Sequence, residues 1–426
     1  MSAVAFRAAR AADDLLIDAE ADSTPAPRPT PAAGLGRRIL LGASVVLIAF
    51  NLRPVFASLS VVLPEIIAAT GLSATAASLL TTLPIVCLGV FAPLAPGLGR
   101  RFGTERTLLA CMVLILVGTL LRGTGSIPLL FVASAIAGSG IAVSNVLLSG
   151  LVKRDFAKQA ALMMGLYTMA VCGGAASAAG LTVPLEHALG GGWTYALAMW
   201  AVPALLVTLI WAPQALPLKP VASESGFTVR GLWRDRLAWQ VTFFMGLQSA
   251  LAYTVMGWLA PILRERGLGG ETAGYVVSLA VMTQVVTCLV VPALAVRLRN
   301  QRGLAVVLAV VTVAAMLAML FAPLGGVWLW AVLLGIAQGG TFALALTFMV
   351  LRSPDSHVAA HLSGMAQGVG YVVAACGPLV AGLLHGWTGS FRASSWLFIG
   401  LGIALVMAGL GAGRSMLVGA VTVPRR

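Results

Sequence analysis

Apolar runs separated by short polar breaks fill almost the whole chain. Each run is long enough for a membrane-spanning helix, which takes about 20 residues. The pattern predicts twelve helices, over 38–63, 74–95, 105–122, 128–150, 161–183, 193–212, 239–262, 273–296, 303–322, 327–351, 360–384 and 393–413. The longest internal break, 213–238, is polar and holds Lys219, Glu224, Arg230, Arg234, Asp235 and Arg236. It divides the helices six and six. The expected organisation is a tail over 1–37, a six-helix half over 38–212, a central loop over 213–238, a second half over 239–413 and a tail over 414–426.

The halves carry traces of a repeat. PGLGRRFGTERTL follows helix 2 at 96–108, and PALAVRLRNQRGL follows helix 8 at 292–304. At one fixed offset Pro96 falls on Pro292, Leu98 on Leu294, Arg101 on Arg297, Arg106 on Arg302 and Leu108 on Leu304. Pro64 near the end of helix 1 matches Pro261 near the end of helix 7, and under that alignment Asn51 falls on Gln248. Two parallel six-helix repeats joined by a long loop are the signature of the major facilitator architecture. The expected fold class is therefore an all-α membrane protein.

Composition agrees. Charged residues make up 10% of the 426, against about 25% in soluble domains. The apolar set makes up 59%, and mean hydropathy is +0.97. A soluble enzyme, a disordered chain and a nucleic-acid binder are excluded. The net charge of +13 belongs to loop anchors rather than to a nucleic-acid surface. With the N-terminus placed inside, 22 of the 27 lysines and arginines face the cytoplasm and 4 face outward. The 22-to-4 bias follows the positive-inside rule and places both termini in the cytoplasm. The Ala/Pro-rich start, with acids at Asp13, Asp14, Asp18, Glu20 and Asp22, reads as a disordered tail rather than a signal peptide. The five cysteines lie in apolar runs without paired spacing, so neither disulfides nor a metal site are expected. No Walker A, HExxH or GxSxG motif is present, and neither enzyme activity nor a cofactor is expected. The expected partners are the lipid bilayer and a small-molecule substrate, with the monomer as the working unit.

The informative residues are polar ones inside the spans. All fourteen acids lie in tails, loops or helix ends, and the four histidines lie at or near loops. That leaves Arg53 as the formal charge in the membrane interior. An arginine at a helix centre costs roughly 2.5–3.5 kcal/mol. It is expected to face the substrate, the alternative being a bond to backbone carbonyls. Six intramembrane amides, Asn51, Asn145, Gln248, Gln284, Gln338 and Gln367, supply donors and acceptors without charge. Interhelical bonding is their other use. Gln367 and Tyr371 share a helix face at i, i+4. Tyr167 aligns with Gln367 between the halves.

The candidate shell is therefore Arg53, Asn51, Gln248, Tyr167, Gln367, Tyr371 and Gln338. Tyr253 lies about 140° round the helix from Gln248, and Gln248 is preferred. Asn51 and Arg53 are about 200° apart on an ideal helix. Pro54 lacks an N–H, frees the Phe50 carbonyl and allows local unwinding that eases this conflict. The alternative is that Arg53 alone faces the cavity. A small anion, or an electron-rich group such as nitro, suits this set. The absence of an intramembrane carboxylate disfavours a cation and removes the usual side-chain proton carrier. Arg101, Arg106, Arg297 and Arg302, facing Asp155 and Asp355, are candidates for a cytoplasmic gate of ion pairs. The other reading of these charges is topogenic.

AFNLRPVFASLSVVLPEI, GIAVSNVLLSGLVKRDF, MMGLYTMAVCGGAASAAGLTVPL, MGLQSALAYTVMGWLAPIL, GIAQGGTFALALTFMVLR and LSGMAQGVGYVVAACGPLVAGLLHGWTG resemble the cyanate permease/2-nitroimidazole transporter family of the major facilitator superfamily. NLRP at 51–54 is the most specific piece, and the resemblance spans most of 38–413. It implies a twelve-helix inner-membrane transporter for small polar or anionic solutes working by alternating access. The superfamily's loop signature, G-x-L-A-D-R-x-G-R-[RK], is only partly kept. Pro96 replaces its first glycine and Arg100 its aspartate, while Arg101 and Gly103 fit. A multidrug-type exporter of the same fold, with a cavity lined by Met and Phe, is the second reading. A sensor is disfavoured because no polar block is long enough for a soluble domain.

Overall fold

A computed structural model describes residues 35–156, 159–190, 192–216 and 227–424. Residues 1–34 of the expected tail, Lys158, Lys219, Glu224, Arg425 and Arg426 lie outside them.

Among the described residues, twelve helices are long and apolar enough to cross a membrane. Spans 1–6 are Arg38–Val61, Ala74–Phe102, Thr104–Arg122, Ile127–Val152, Leu162–Ala188 and Gly192–Ala215. Spans 7–12 are Arg236–Glu265, Gly270–Arg297, Arg302–Phe321, Leu324–Leu351, His357–Thr388 and Phe391–Ala412. All twelve predicted helices are present. The main differences are at the ends. Span 2 runs past residue 95 through a 3-10 turn, Ala92–Leu94, into a further helix, Ala95–Phe102. Pro93 and Pro96 each sit in the first turn of their segment, where the missing N–H has no partner to lose.

The packing repeats itself. Spans 1 and 5, 2 and 4, 3 and 4, and 3 and 6 pack together. So do spans 7 and 11, 8 and 10, 9 and 10, and 9 and 12, six places on. Small residues permit the close approaches. A Cβ at Gly138 of span 4 would lie 2.8 Å from Pro84 of span 2. A Cβ at Gly335 of span 10 would lie 2.1 Å from the Ala280 carbonyl of span 8. The halves meet along spans 2 and 11, spans 5 and 8, and spans 1 and 7.

Each half has a brace at the face where span 1 begins and span 12 ends, called here the terminal face. Arg154 bonds Glu105 and Asp155, each at 2.8 Å. Arg352 bonds Gln301 and, at 2.8 Å, the Ala412 carbonyl. Hydrogen bonding to Asp155 raises the Arg154 pKa. Arg352 has no carboxylate in its brace, and burial lowers its pKa to about 10.

The all-α expectation needs one addition. Phe227–Arg230 (β1) pairs antiparallel with Val421–Pro424 (β2), joining the central loop to the C-terminal tail. FTVR and VTVP are rich in the β-branched and aromatic residues that fit strands.

The far face is closed between the halves. Glu65, on the helix Leu63–Thr70 that follows span 1, pairs with Arg264 of span 7, and His187 of span 5 lies 2.9 Å from Glu271 of span 8. A Cβ at Gly382 of span 11 would lie 1.8 Å from the Ser78 hydroxyl of span 2. Nearer the terminal face, Gly97 of span 2 and Gly364 of span 11 have open space beside them. No ion pair joins the halves on that face among the described residues.

Candidate substrate site

Span 1 is broken where the NLRP sequence predicts strain. Helix Leu35–Phe50 stops, residues 51–53 turn, and helix Pro54–Val61 begins. The amides of Asn51 and Leu52 reach back three residues, to Ile48 and Ala49, rather than four. Pro54 offers no N–H to the Phe50 carbonyl. Span 5 comes in against that carbonyl: a Cβ on Gly174 would lie 2.0 Å from it. Glycine is required there by the approach of one backbone to another.

The turn aims Arg53 at the second half. Its Nη1 donates to the Tyr253 hydroxyl of span 7 at 2.9 Å. The guanidinium carbon lies 5.2 Å from the Tyr253 ring centre and 5.9 Å from that of Phe56, within cation–π range. Tyr371 of span 11 stands edge-on to Tyr253 at 6.2 Å. Tyr371, Tyr167 and Cys172 are within electrostatic range of the guanidinium. Tyr167 donates to the Asn145 amide oxygen at 3.0 Å. Arg53 has no carboxylate partner among the described residues. It is partly exposed, while Tyr253 and Tyr371 are buried. Above it, toward the far face, Val55, Phe56, Thr81, Pro84 and Tyr253 leave a cavity of about 10 Å³, room for one water.

The arrangement can hold an anion. Guanidinium carries five N–H donors, and one is taken by Tyr253. Since the Tyr253 oxygen accepts from Arg53, its own O–H is available to a ligand.

The structure gathers Arg53, Tyr167 and Tyr371 from the predicted shell. The amides behave otherwise. Asn51 is buried and donates to its own helix, at the Leu47 carbonyl. Gln248 donates to Ser249 at 2.7 Å and to the Met245 sulfur, so on span 7 Tyr253, not Gln248, meets Arg53. Gln367 donates to Ser363 of its own helix. Gln338 is buried in span 10, and its amide nitrogen has no partner. Phe56, one turn beyond Arg53, was legible from i, i+3 spacing.

Arg122 needs a correction. Counted among outward loop charges, it is 1% exposed, at the end of span 3. Its Nη1 donates to the Val55 carbonyl at 2.5 Å and its Nη2 to Ser134 of span 4 at 2.9 Å. Arg53 is therefore not the single cation within the spans. A lone arginine ending an apolar run was the signal in the sequence.

The candidate gate charges are apart. Asp155 is held by Arg154, and Asp355 caps span 11 at Val358 N and accepts from Thr422. Arg101 lies over Phe102, Arg106 donates to the Leu216 carbonyl, and Arg297 is exposed. The Arg302 backbone N–H donates to the Asn300 side chain. None of these arginines is ion-paired with either aspartate among the described residues.

Comparison with known proteins bears on family and fold. Residues 39–375 match the family described as Major Facilitator Superfamily. The chain is 40% identical over 374 residues to the uncharacterized transporter YycB of Bacillus subtilis (strain 168), covering 87% of this chain and 92% of that one. It is 38% identical over 380 residues to the 2-nitroimidazole transporter of Escherichia coli (strain K12), covering 88% and 96%. It is 30% identical over 368 residues to the cyanate transport protein CynX of the same organism, covering 85% and 94%. The crystal structure of a D-xylose-proton symporter superposes with a TM-score of 0.68 at 15% identity, covering 89% of this chain and 98% of that one.

Proposed function

This chain belongs to the Major Facilitator Superfamily, and from that premise we propose that it carries a small anion or nitro-compound through the membrane, anchored in transit by Arg53. It is a multi-pass membrane transporter and not an enzyme. One observation carries the substrate class: a mid-span guanidinium, partly exposed, whose side-chain partners are a tyrosine hydroxyl and two aromatic faces. Such a cation is expensive in the membrane, and a bound anion offsets that cost. Relatives named for cyanate and for 2-nitroimidazole support the same class.

The mechanism is alternating access. The positive-inside bias assigns the terminal face to the cytoplasm of a bacterial inner membrane, with both termini inside. The far-face ion pairs then describe a state closed to the outside. When the cytoplasmic face closes instead, Arg101, Arg106, Arg297 and Arg302 approach Asp155 and Asp355. Those aspartates first exchange their present partners, Arg154 and Thr422. The working unit is the monomer, because site and gates lie within one chain.

The test is uptake into proteoliposomes of a panel of labelled small anions and nitro-compounds. Saturable uptake of cyanate or 2-nitroimidazole, lost in Arg53→Ala, is the expected result. Preferential uptake of organic cations would contradict the assignment.

A further inference from the structure

We infer that Arg122 is a positioning residue for Arg53: it holds the second segment of the broken span 1 at the rotation that aims the anchor at Tyr253 of the second half. The inference rests on Arg53 being the anion anchor. Three observations lead to it.

The first is the break. Across 51–54 the regular helical hydrogen-bond ladder is interrupted, and Pro54 contributes no N–H to it. The two segments of span 1 are therefore not locked to one another by their own backbone. Their relative rotation is set from outside.

The second is where the outside contacts fall. On one side of the break, Gly174 of span 5 packs against the Phe50 carbonyl. On the other, Arg122 of span 3 donates to the Val55 carbonyl at 2.5 Å and ties it to Ser134 of span 4 at 2.9 Å. Arg53 lies between these clamps, three residues after one and two before the other. Spans 3, 4 and 5 thereby fix both segments to the first half. Tyr253, on span 7, stands opposite in the second half.

The third is the expense of Arg122 itself. It is 1% exposed, its Nε has no partner, and no carboxylate is paired with it among the described residues. A buried cation held by one carbonyl and one hydroxyl is a poor helix staple, because a buried charge without a counter-ion is costly. The cost is understandable if the carbonyl it fixes has a task. A planar fork reaches two acceptors on two elements at once in a fixed geometry, which the flexible lysine ammonium does not pre-organise.

The experiment measures binding of sodium cyanate and of 2-nitroimidazole to purified full-length protein, with melting temperature recorded for each variant. The variants are Arg122→Gln, Arg122→Lys, Arg53→Lys, Arg53→Ala and the double variant Arg122→Gln/Arg53→Lys. Arg122→Gln is expected to weaken binding roughly tenfold, the scale of one charge-assisted hydrogen bond. Arg122→Lys is expected to recover part of that loss. In the Arg53→Lys background the further effect of Arg122→Gln is expected to be small, because a group acting through another has little left to act on. Wild-type affinity in Arg122→Gln, with only the melting temperature lowered, reduces Arg122 to a brace and overturns the inference. So does an equal loss in both backgrounds. If Arg122→Gln does not fold, Ser134→Ala, which removes one partner of the fork, is read in the same way. Failure of the anchor itself has a separate signature: Arg53→Ala binds both probes as the wild type does.

Discussion

In the proposed reading, Arg53 and Tyr253, joined at 2.9 Å, divide the recognition of an anion between charge and hydrogen bond. Arg53→Lys keeps the charge and loses the fork that suits two acceptor oxygens. Binding of a nitro- or carboxylate-like ligand is expected to fall strongly, and binding of a linear anion with one acceptor to fall less. Tyr253→Phe removes the Arg53 partner and one donor, and is expected to weaken binding about tenfold. Gln248→Leu is expected to cost less, since the Gln248 amide is bonded to its neighbours. Equilibrium binding to the three variants checks the order; a larger loss at Gln248 than at Tyr253 contradicts it. Arg53 was legible in the sequence because a formal charge near mid-span, with the acids confined to tails, loops and helix ends, has few other uses. Its partner was not. Gln248 and Tyr253 share one helix and differ by about 140° in rotation and about 7.5 Å in height, and packing decides which of them meets Arg53. For Arg122 the sequence shows an arginine ending span 3, but not that its long side chain reaches back into the protein.

At the level of elements, the twelve spans were readable because each is a long apolar run, and the repeat because both halves keep prolines and arginines at a fixed offset. The ends were less so. Span 2 continues across two prolines that look like terminators, because both fall in first turns. The ribbon between β1 and β2 pairs segments far apart in sequence, which no local pattern reveals. The break in span 1 is the element on which the site depends, and it yields two predictions. Pro54→Ala restores an N–H opposite the Phe50 carbonyl, lets the helix close, and turns Arg53 away from Tyr253. Transport is expected to fall while the melting temperature holds or rises. A fall in both would show that the break serves stability rather than aim. Gly174→Val places a branched side chain where a single Cβ already meets the Phe50 carbonyl. A loss of about 1–3 kcal/mol, the range for overpacking, is expected in thermal or denaturant unfolding.

The whole molecule is two packed halves with the far face latched. Glu65 and Arg264 pair across that face, and the proposed alternating access requires them to part, so cross-linking them should stop transport. In a background without the five native cysteines, Glu65→Cys/Arg264→Cys is expected to transport when reduced and to stop when oxidised. Undiminished transport after complete cross-linking would show that this face need not open. The membrane core offers no Asp, Glu or His as a proton carrier, so vesicles are expected to show no protein-driven proton flux without substrate. For topology, a reporter active only outside the cytoplasm is expected to be silent when fused at Arg426 and active near Glu186. The central claim is that Arg53 holds the substrate rather than merely joining the halves. The most direct measurement is the rise in melting temperature that saturating 2-nitroimidazole or cyanate produces, compared between wild-type and Arg53→Ala protein in detergent. Ligand binding stabilises a fold by an amount set by its affinity, whatever the starting stability. The account predicts that Arg53→Ala folds and inserts but loses that rise. A destabilised Arg53→Ala protein that still gains the full wild-type increment would contradict it.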